Sequence, residues 1–209
     1  GVGGGSLNYA NTLYRPLAPF YRDPQWRDLA DWEAELAPHY DTATRMLGVV
    51  QENPCEGVVE QVMREAAEEM GVGHTFRKTP VGVFLGQPGV TVPDPYFGGE
   101  GPDRTGCTMC GNCMVGCRVG AKNTLVKNYL ALAERLGVHI EPLRTVTHLA
   151  EIPGTRGSDG RAAYRVRHEA TDARGAAGAR VTRARHVVVA AGTWGTQSLL
   201  HAMKESGDL

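Results

Sequence analysis

The sequence predicts an α/β fold, on three observations. His186-Val-Val-Val-Ala-Ala191 is an apolar run suited to a strand buried on both faces, and Gly192-Thr193-Trp194-Gly195 turns it directly into a helical stretch, Thr196 to Lys204. The chain opens on a glycine loop, Gly1-Val-Gly3-Gly4-Gly5-Ser6. Between these two, helix-like and strand-like stretches both occur. A strand, a glycine turn and a helix in succession carry backbone N–H groups and a helix N-terminus to a bound anion.

Of the 209 residues, 42% are hydrophobic, enough to build a core. Lysine and arginine total 22 against 23 acids, so no net field draws the chain to nucleic acid or an anionic membrane. The arginines are dispersed and not interleaved with aromatics, which argues further against a nucleic-acid surface. No apolar run approaches the ~20 residues of a membrane span. The chain does not begin with Met and both ends look cut, so the sequence says nothing of a signal peptide.

Apolar residues recur at helical spacing from Asp28 to Leu47, with an interruption expected at Pro38. A second helix is expected with Asn53 as N-cap, Pro54 at the first helical position, Glu56 completing a capping box and Gly71 at the far end. Its acidic residues form a solvated face. Val81 to Leu85 and Val90 to Val92 read as short strands about a Gly-Gln-Pro-Gly turn. Thr124 to Leu136 reads as a helix closed by Gly137. Strands are expected at Val138–Ile140, Thr145–Ala150, Tyr164–His168 and Arg180–Arg183, the last two joined through the turn-rich Thr171 to Gly178.

The strongest chemical signal is Cys107-Thr-Met-Cys110-Gly-Asn-Cys113-Met-Val-Gly-Cys117. C-x2-C-x2-C-x3-C is how ferredoxins present thiolates to an iron–sulfur cluster, and Cys107, Cys110, Cys113 and Cys117 are candidate ligands. Two features depart from that pattern: Arg118 stands where the ferredoxin run has Pro, and the fourth ferredoxin cysteine serves a different cluster. A zinc site and a packed or disulfide-linked loop without metal remain the alternatives. Clustered rather than dispersed cysteines point to a reducing, cytoplasmic compartment. None of the seven histidines is spaced to pair with another, and none is assigned as a catalytic base.

In the glycine loop three successive residues without Cβ let a ligand touch the backbone, and Ser6, Asn8 and Asn11 add polar groups suited to a flavin edge or a pyrophosphate. A flexible linker is the alternative. The corner at Ala191, Gly192 and Thr193 is a second candidate anion site, with close packing as its alternative.

Gly-Val-Gly-Gly-Gly-Ser-Leu, Gly120-Ala-Lys-Asn-Thr-Leu with Tyr129-Leu130, and Ala-Ala-Gly-Thr-Trp-Gly-Thr-Gln-Ser-Leu-Leu together resemble the glucose–methanol–choline (GMC) oxidoreductases, and within them the cholesterol oxidase branch. The resemblance runs from Gly1 to about Asp208. It implies FAD as cofactor and a larger two-domain flavoprotein: an α/β, Rossmann-like FAD-binding part with an α+β substrate domain. Residues 1–11 would be the FAD-binding glycine loop, 12–104 mainly substrate domain, 105–123 a cysteine-rich insert and 124–209 the remainder of the FAD-binding domain.

By the same resemblance, Gly3, Gly4, Gly5 and Ser6 line flavin and pyrophosphate. Val146 matches the position whose backbone holds the adenine, and Ala191, Gly192 and Thr193 close on the cofactor. An Asn usually lies three residues after the Ser; this chain has Tyr9 there, with Asn8 and Asn11 on either side. The family's catalytic His and Asn would lie beyond Leu209, so no catalytic residue is named. The implied chemistry is hydride transfer from a CH–OH group, expected of an alcohol or sterol, to flavin, with an iron–sulfur relay to an acceptor protein. The rival readings are an iron–sulfur electron-transfer module without flavin and an inert chain with a structural zinc or disulfide loop.

Overall fold

The computed structural model describes residues 1–154, 163–172 and 178–207. Helices and small sheets are both present, in keeping with an α/β chain. The chain divides into two compact units, Gly1–His139 and Ile140–Leu209.

The first unit begins with a 3₁₀ turn over Gly4–Leu7, followed by α1 (Ala18–Tyr21) and α2 (Trp32–Met46). Asp31 caps α2 by accepting the Ala34 N–H at 3.2 Å. Pro38 sits inside α2 without ending it, contrary to the expected interruption. A proline removes one i→i−4 bond, and here the remaining ladder continues past it. α3 (Val58–Glu69) starts at Gly57, not at Asn53. The expected capping box fails because its residues are engaged elsewhere. Asn53 accepts the Cys55 N–H at 3.0 Å and donates to the Thr79 carbonyl at 3.2 Å. Glu56 pairs with Arg64 at 2.8 Å and with Lys78. The far end behaves as expected: Gly71 takes a positive φ of 72°.

The segment expected as a strand from Val81 to Leu85 makes isolated bridges instead of a ladder. Val81 bridges Thr12 and Val50, and Val83 bridges Lys122. Segments distant in sequence thus converge on one short stretch, and the buried apolar residues Val81, Val83 and Ala121 lie there. Gly48 is required beside this hub. Its φ is 55°, and a Cβ there would sit 2.5 Å from the Tyr96 ring and 2.6 Å from Asn123 Nδ2. β1 (Thr91–Val92) and β2 (Arg104–Thr105) form a two-stranded antiparallel sheet. The helix expected from Thr124 to Leu136 is split into a 3₁₀ turn, Leu125–Lys127, and α4 (Tyr129–Arg135). The break falls at buried Asn128, whose φ and ψ of −136° and −99° are not helical. Its side chain accepts the Tyr129 N–H at 2.6 Å and starts α4.

The second unit is a three-stranded antiparallel sheet in the order β3 (Arg144–Glu151), β4 (Tyr164–Ala170), β5 (Arg180–Ala184), with a register shift between Val146 and His148. α5 (Gly192–Ser206) packs against β3 and buries Met203. Three expected strands appear, but Val138–Ile140 does not form one. Of the expected turn from Thr171 to Gly178, residues 173–177 lie outside the described residues. His186–Ala191 is likewise not a strand, and Val188 is 88% exposed. An apolar run becomes a strand only when a neighbouring strand takes its N–H and C=O groups; here the Ala191 N–H goes instead to Thr196 Oγ1 at 3.2 Å.

Candidate functional site

The glycine loop owes its shape to Gly3 and Gly4, whose φ values are 103° and 51°. A Cβ at Gly4 or Gly5 would meet nothing within 4 Å, so the backbone there faces open space. Ser6 is occupied within the protein. Its hydroxyl donates to the Gly3 carbonyl at 2.6 Å and accepts the Leu125 N–H at 2.9 Å, tying the loop to the start of the 3₁₀ turn before α4. Asn8 is exposed, whereas Asn11 is half-buried and donates from Nδ2 to Cys113 Sγ at 3.4 Å. Tyr9 points into the protein and donates to the Asn123 carbonyl at 2.6 Å. Burial, followed by negative charge at Cys113, pushes the Tyr9 phenol up to about 12.

The loop is anchored by a buried cation. Lys122, 2% exposed, donates from Nζ to the carbonyls of Leu7 at 3.2 Å, Tyr9 at 2.8 Å and Cys113 at 3.0 Å. The ammonium also lies 5.0 Å from the centre of the Tyr9 ring. Three carbonyl dipoles and an aromatic face satisfy the charge without a carboxylate. Arg104 repeats the pattern at 1% exposure. It donates to Asn123 Oδ1 at 3.2 Å and to the carbonyls of Pro102 and Lys127, and stacks 5.5 Å from the Tyr96 ring centre. Lys127 in turn donates to the Gly120 carbonyl, and its pKa is lowered by burial first and then by the Arg104 charge.

All five cysteines are free thiols. Cys107, Cys110, Cys113 and Cys117 line one small cavity of about 20 Å³, room for about one water molecule. Among the described residues, no three His, Cys, Asp or Glu side chains are placed to hold a metal ion. The expected iron–sulfur cluster on these four cysteines therefore finds no support here, although all four share one lining. They also differ from one another. Burial raises the Cys117 thiol, but N–H groups of Lys122, Gly120, Ala121 and Val119 outweigh it, and the net shift is downward. Cys113 is raised by burial and then by charge on Cys117, Cys107 and Cys110. Cys55, far away in sequence, lies beside the run, its Sγ 3.3 Å from Met109 Sδ.

Beside the loop opens a cavity of about 1010 Å³, lined among others by Asn11, Val59, Met63, Val81, Cys107 and Cys113. The structure thus brings Asn11 and Cys113 together at one wall of it. The remaining candidates lie in the second unit. Val146 is on β3 and 42% exposed. Ala191 is the N-cap of α5, its N–H 3.2 Å from Thr196 Oγ1. Gly192 adopts φ 72° as the first helical residue, with Thr193 next.

Sequence reasoning missed Lys122 and Arg104. The motif holding Lys122 was visible, but a lysine in a polar run carries no sign that three carbonyls will surround it. The available signal was its place in the Gly120-Ala-Lys-Asn-Thr-Leu motif, just after the cysteine run.

Residues 101–207 match the GMC oxidoreductase family, and the chain belongs to it. The chain is also similar to cholesterol oxidase of Mycobacterium tuberculosis, in both strain CDC 1551 / Oshkosh and strain ATCC 25618 / H37Rv. Identity to each is 54% over 214 residues, covering 100% of this chain and 36% of the relative. To cholesterol oxidase of Acinetobacter baumannii the identity is 43% over 213 residues, covering 100% and 38%. The chain thus spans little more than a third of the length of the curated relatives it matches.

Proposed function

We propose that this chain forms part of an FAD-dependent oxidoreductase that oxidises a CH–OH group, with a sterol as its substrate class. The observation that carries the reading is the 54% identity to cholesterol oxidase along the whole of this chain. Support for the cofactor comes from the open backbone at Gly4 and Gly5. It also comes from the two glycine corners, one in the loop and one at the start of α5, each suited to a phosphate or flavin edge. When bound, FAD would accept the hydride of the alcohol carbon.

The roles assigned to this chain are binding and orientation. Gly3, Gly4 and Gly5 let the cofactor approach the backbone, while Ser6 holds the loop through its bonds to Gly3 and Leu125. Lys122 fixes the same loop from beneath through Leu7 and Tyr9. Asn11 is the polar group of the loop at the large cavity, and Val59, Met63, Val81 and Val83 give that cavity an apolar wall fitting a hydrophobic alcohol. The backbone of Val146 and the Ala191–Gly192–Thr193 corner are assigned to the adenosine and pyrophosphate parts. An iron–sulfur relay is not included, because no group of three or more His, Cys, Asp or Glu among the described residues is placed to hold a metal ion.

The test uses the full-length protein, reconstituted with FAD and mixed with cholesterol micelles under anaerobic conditions. Loss of the visible flavin absorbance within a turnover time supports the reading. A flavin that stays oxidised with sterols but is reduced by a small primary alcohol would reject the sterol class. A protein that retains no flavin would reject the reading altogether.

A further inference from the structure

The arginines are scattered along the chain, but strand register gathers three of them on one face of the second unit. Arg165 lies directly opposite Arg183 in the β4–β5 pair, and Arg167 lies opposite Val181. Successive side chains of a strand alternate between faces, so these four residues share one face. All four are exposed. Tyr164, Val166 and His168, on the other face, are half-buried or buried. Val146, assigned to the adenosine, stands opposite His168 and so belongs to that other face. None of the three guanidinium groups has a hydrogen-bond or ion-pair partner among the described residues. Glu169, the acid of this face among the described residues, stands opposite Thr145 and forms no ion pair with them. Like charges directly opposite across an antiparallel pair destabilise it, and an anion held over Arg165 and Arg183 would offset that cost.

We propose that this face of β4 and β5 docks the protein on a lipid surface bearing anionic phosphate headgroups. Arg165, Arg167 and Arg183 contact the phosphates, and Val181 beside them meets the apolar interface. A guanidinium fork matches two phosphate oxygens at once. A sheet face is open rather than concave, which fits a surface better than a small ion. The choice of a lipid surface rests on the proposed sterol substrate, which dissolves in a bilayer and hardly in water. The even balance of 22 basic and 23 acidic residues does not oppose docking, because charges further away than ~8 Å are largely screened at physiological salt.

The experiment uses the full-length protein with FAD and sterol-free vesicles, so that docking is read without turnover. Cosedimentation with vesicles of equal parts phosphatidylglycerol and phosphatidylcholine is compared with phosphatidylcholine alone. The wild type is expected to bind the anionic vesicles more tightly than the neutral ones, and added salt should weaken that binding. Arg165→Gln, Arg167→Gln and Arg183→Gln combined should weaken it about a hundredfold, from about fivefold for each arginine. Flavin content and turnover of cholesterol in neutral micelles should stay at the wild-type level. Arg183→Glu separates docking from a purely structural role: facing Arg165 it should raise Tm, yet it should weaken vesicle binding. Equal binding to both vesicle types, or wild-type binding by the triple variant, would overturn the proposal. So would tighter binding to duplex DNA than to the anionic vesicles. Release by millimolar inorganic phosphate at constant ionic strength would overturn it too, since that marks a small-anion site. If cholesterol fails to reduce the flavin while these arginines still hold the vesicles, the sterol reading falls and the docking face stands.

Discussion

At Asp94 one carboxylate organises a loop. It accepts the N–H groups of Tyr96 at 3.0 Å, Phe97 at 2.8 Å and Gly101 at 2.9 Å. Burial alone would raise its pKa, but the N–H groups of Tyr96, Gly101, Phe97 and Gly99 outweigh that, and it falls below 3.8. A carboxylate lowered on folding adds stability above its unfolded pKa, and this is lost as pH falls through the folded value. Asp94→Asn is therefore expected to cost about 1–3 kcal/mol at neutral pH and to flatten the acid limb below about pH 4. Urea denaturation of the full-length protein across that range is the measurement. Tyr9 acts at the other extreme. Its phenol is raised from 10.0 to about 12, so the folded state keeps a proton that the unfolded state has released. Stability present below pH 10.0 should decline as pH rises towards about 12, and Tyr9→Phe should remove that part of the alkaline decline.

Among the elements, the 3₁₀ turn of the glycine loop depends most on a single distant residue. Lys122 holds the Leu7 and Tyr9 carbonyls behind it. Lys122→Met would leave three buried carbonyls without a donor and let the loop move. FAD affinity of the full-length protein is expected to weaken about tenfold or more, as followed by equilibrium dialysis. Unchanged affinity would remove Lys122 from the cofactor site. The helix ends show how element boundaries are decided. Gly71 and Gly137 end their helices as read from sequence, because a residue with φ of 72° or 89° is costly for anything but glycine. Asn53 does not cap α3, because its side chain reaches Thr79, twenty-six residues away, in the same space. A cap signal is local, and a stronger distant partner can take its atoms.

At the scale of the whole molecule, apolar burial among the described residues is sparse. Among the described residues the buried hydrophobic ones are Val81, Val83, Ala121 and Met203, while Val58, Val59, Val62 and Met63 of α3 are exposed. The 209 residues expressed alone are therefore expected to bind an apolar dye such as ANS and to unfold over a broad denaturant range. The full-length protein should do neither, and a sharp, dye-free transition of the 209 residues would contradict this. Mixed helix and strand content, three of the sheet strands and the C-terminal helix were legible from periodicity and glycine placement, since these report local backbone preference. The GMC family was reached through the resemblance of three motifs in their order along the chain. Only the tertiary structure decided that Val81–Leu85 becomes a bridge hub, that His186–Ala191 stays out of a sheet, and that Lys122 and Arg104 are buried cations. It also decided that the four cysteines line one small cavity. Pairing, burial of charge and ligand convergence depend on residues far apart in sequence meeting in space, and spacing along the chain does not encode those distances.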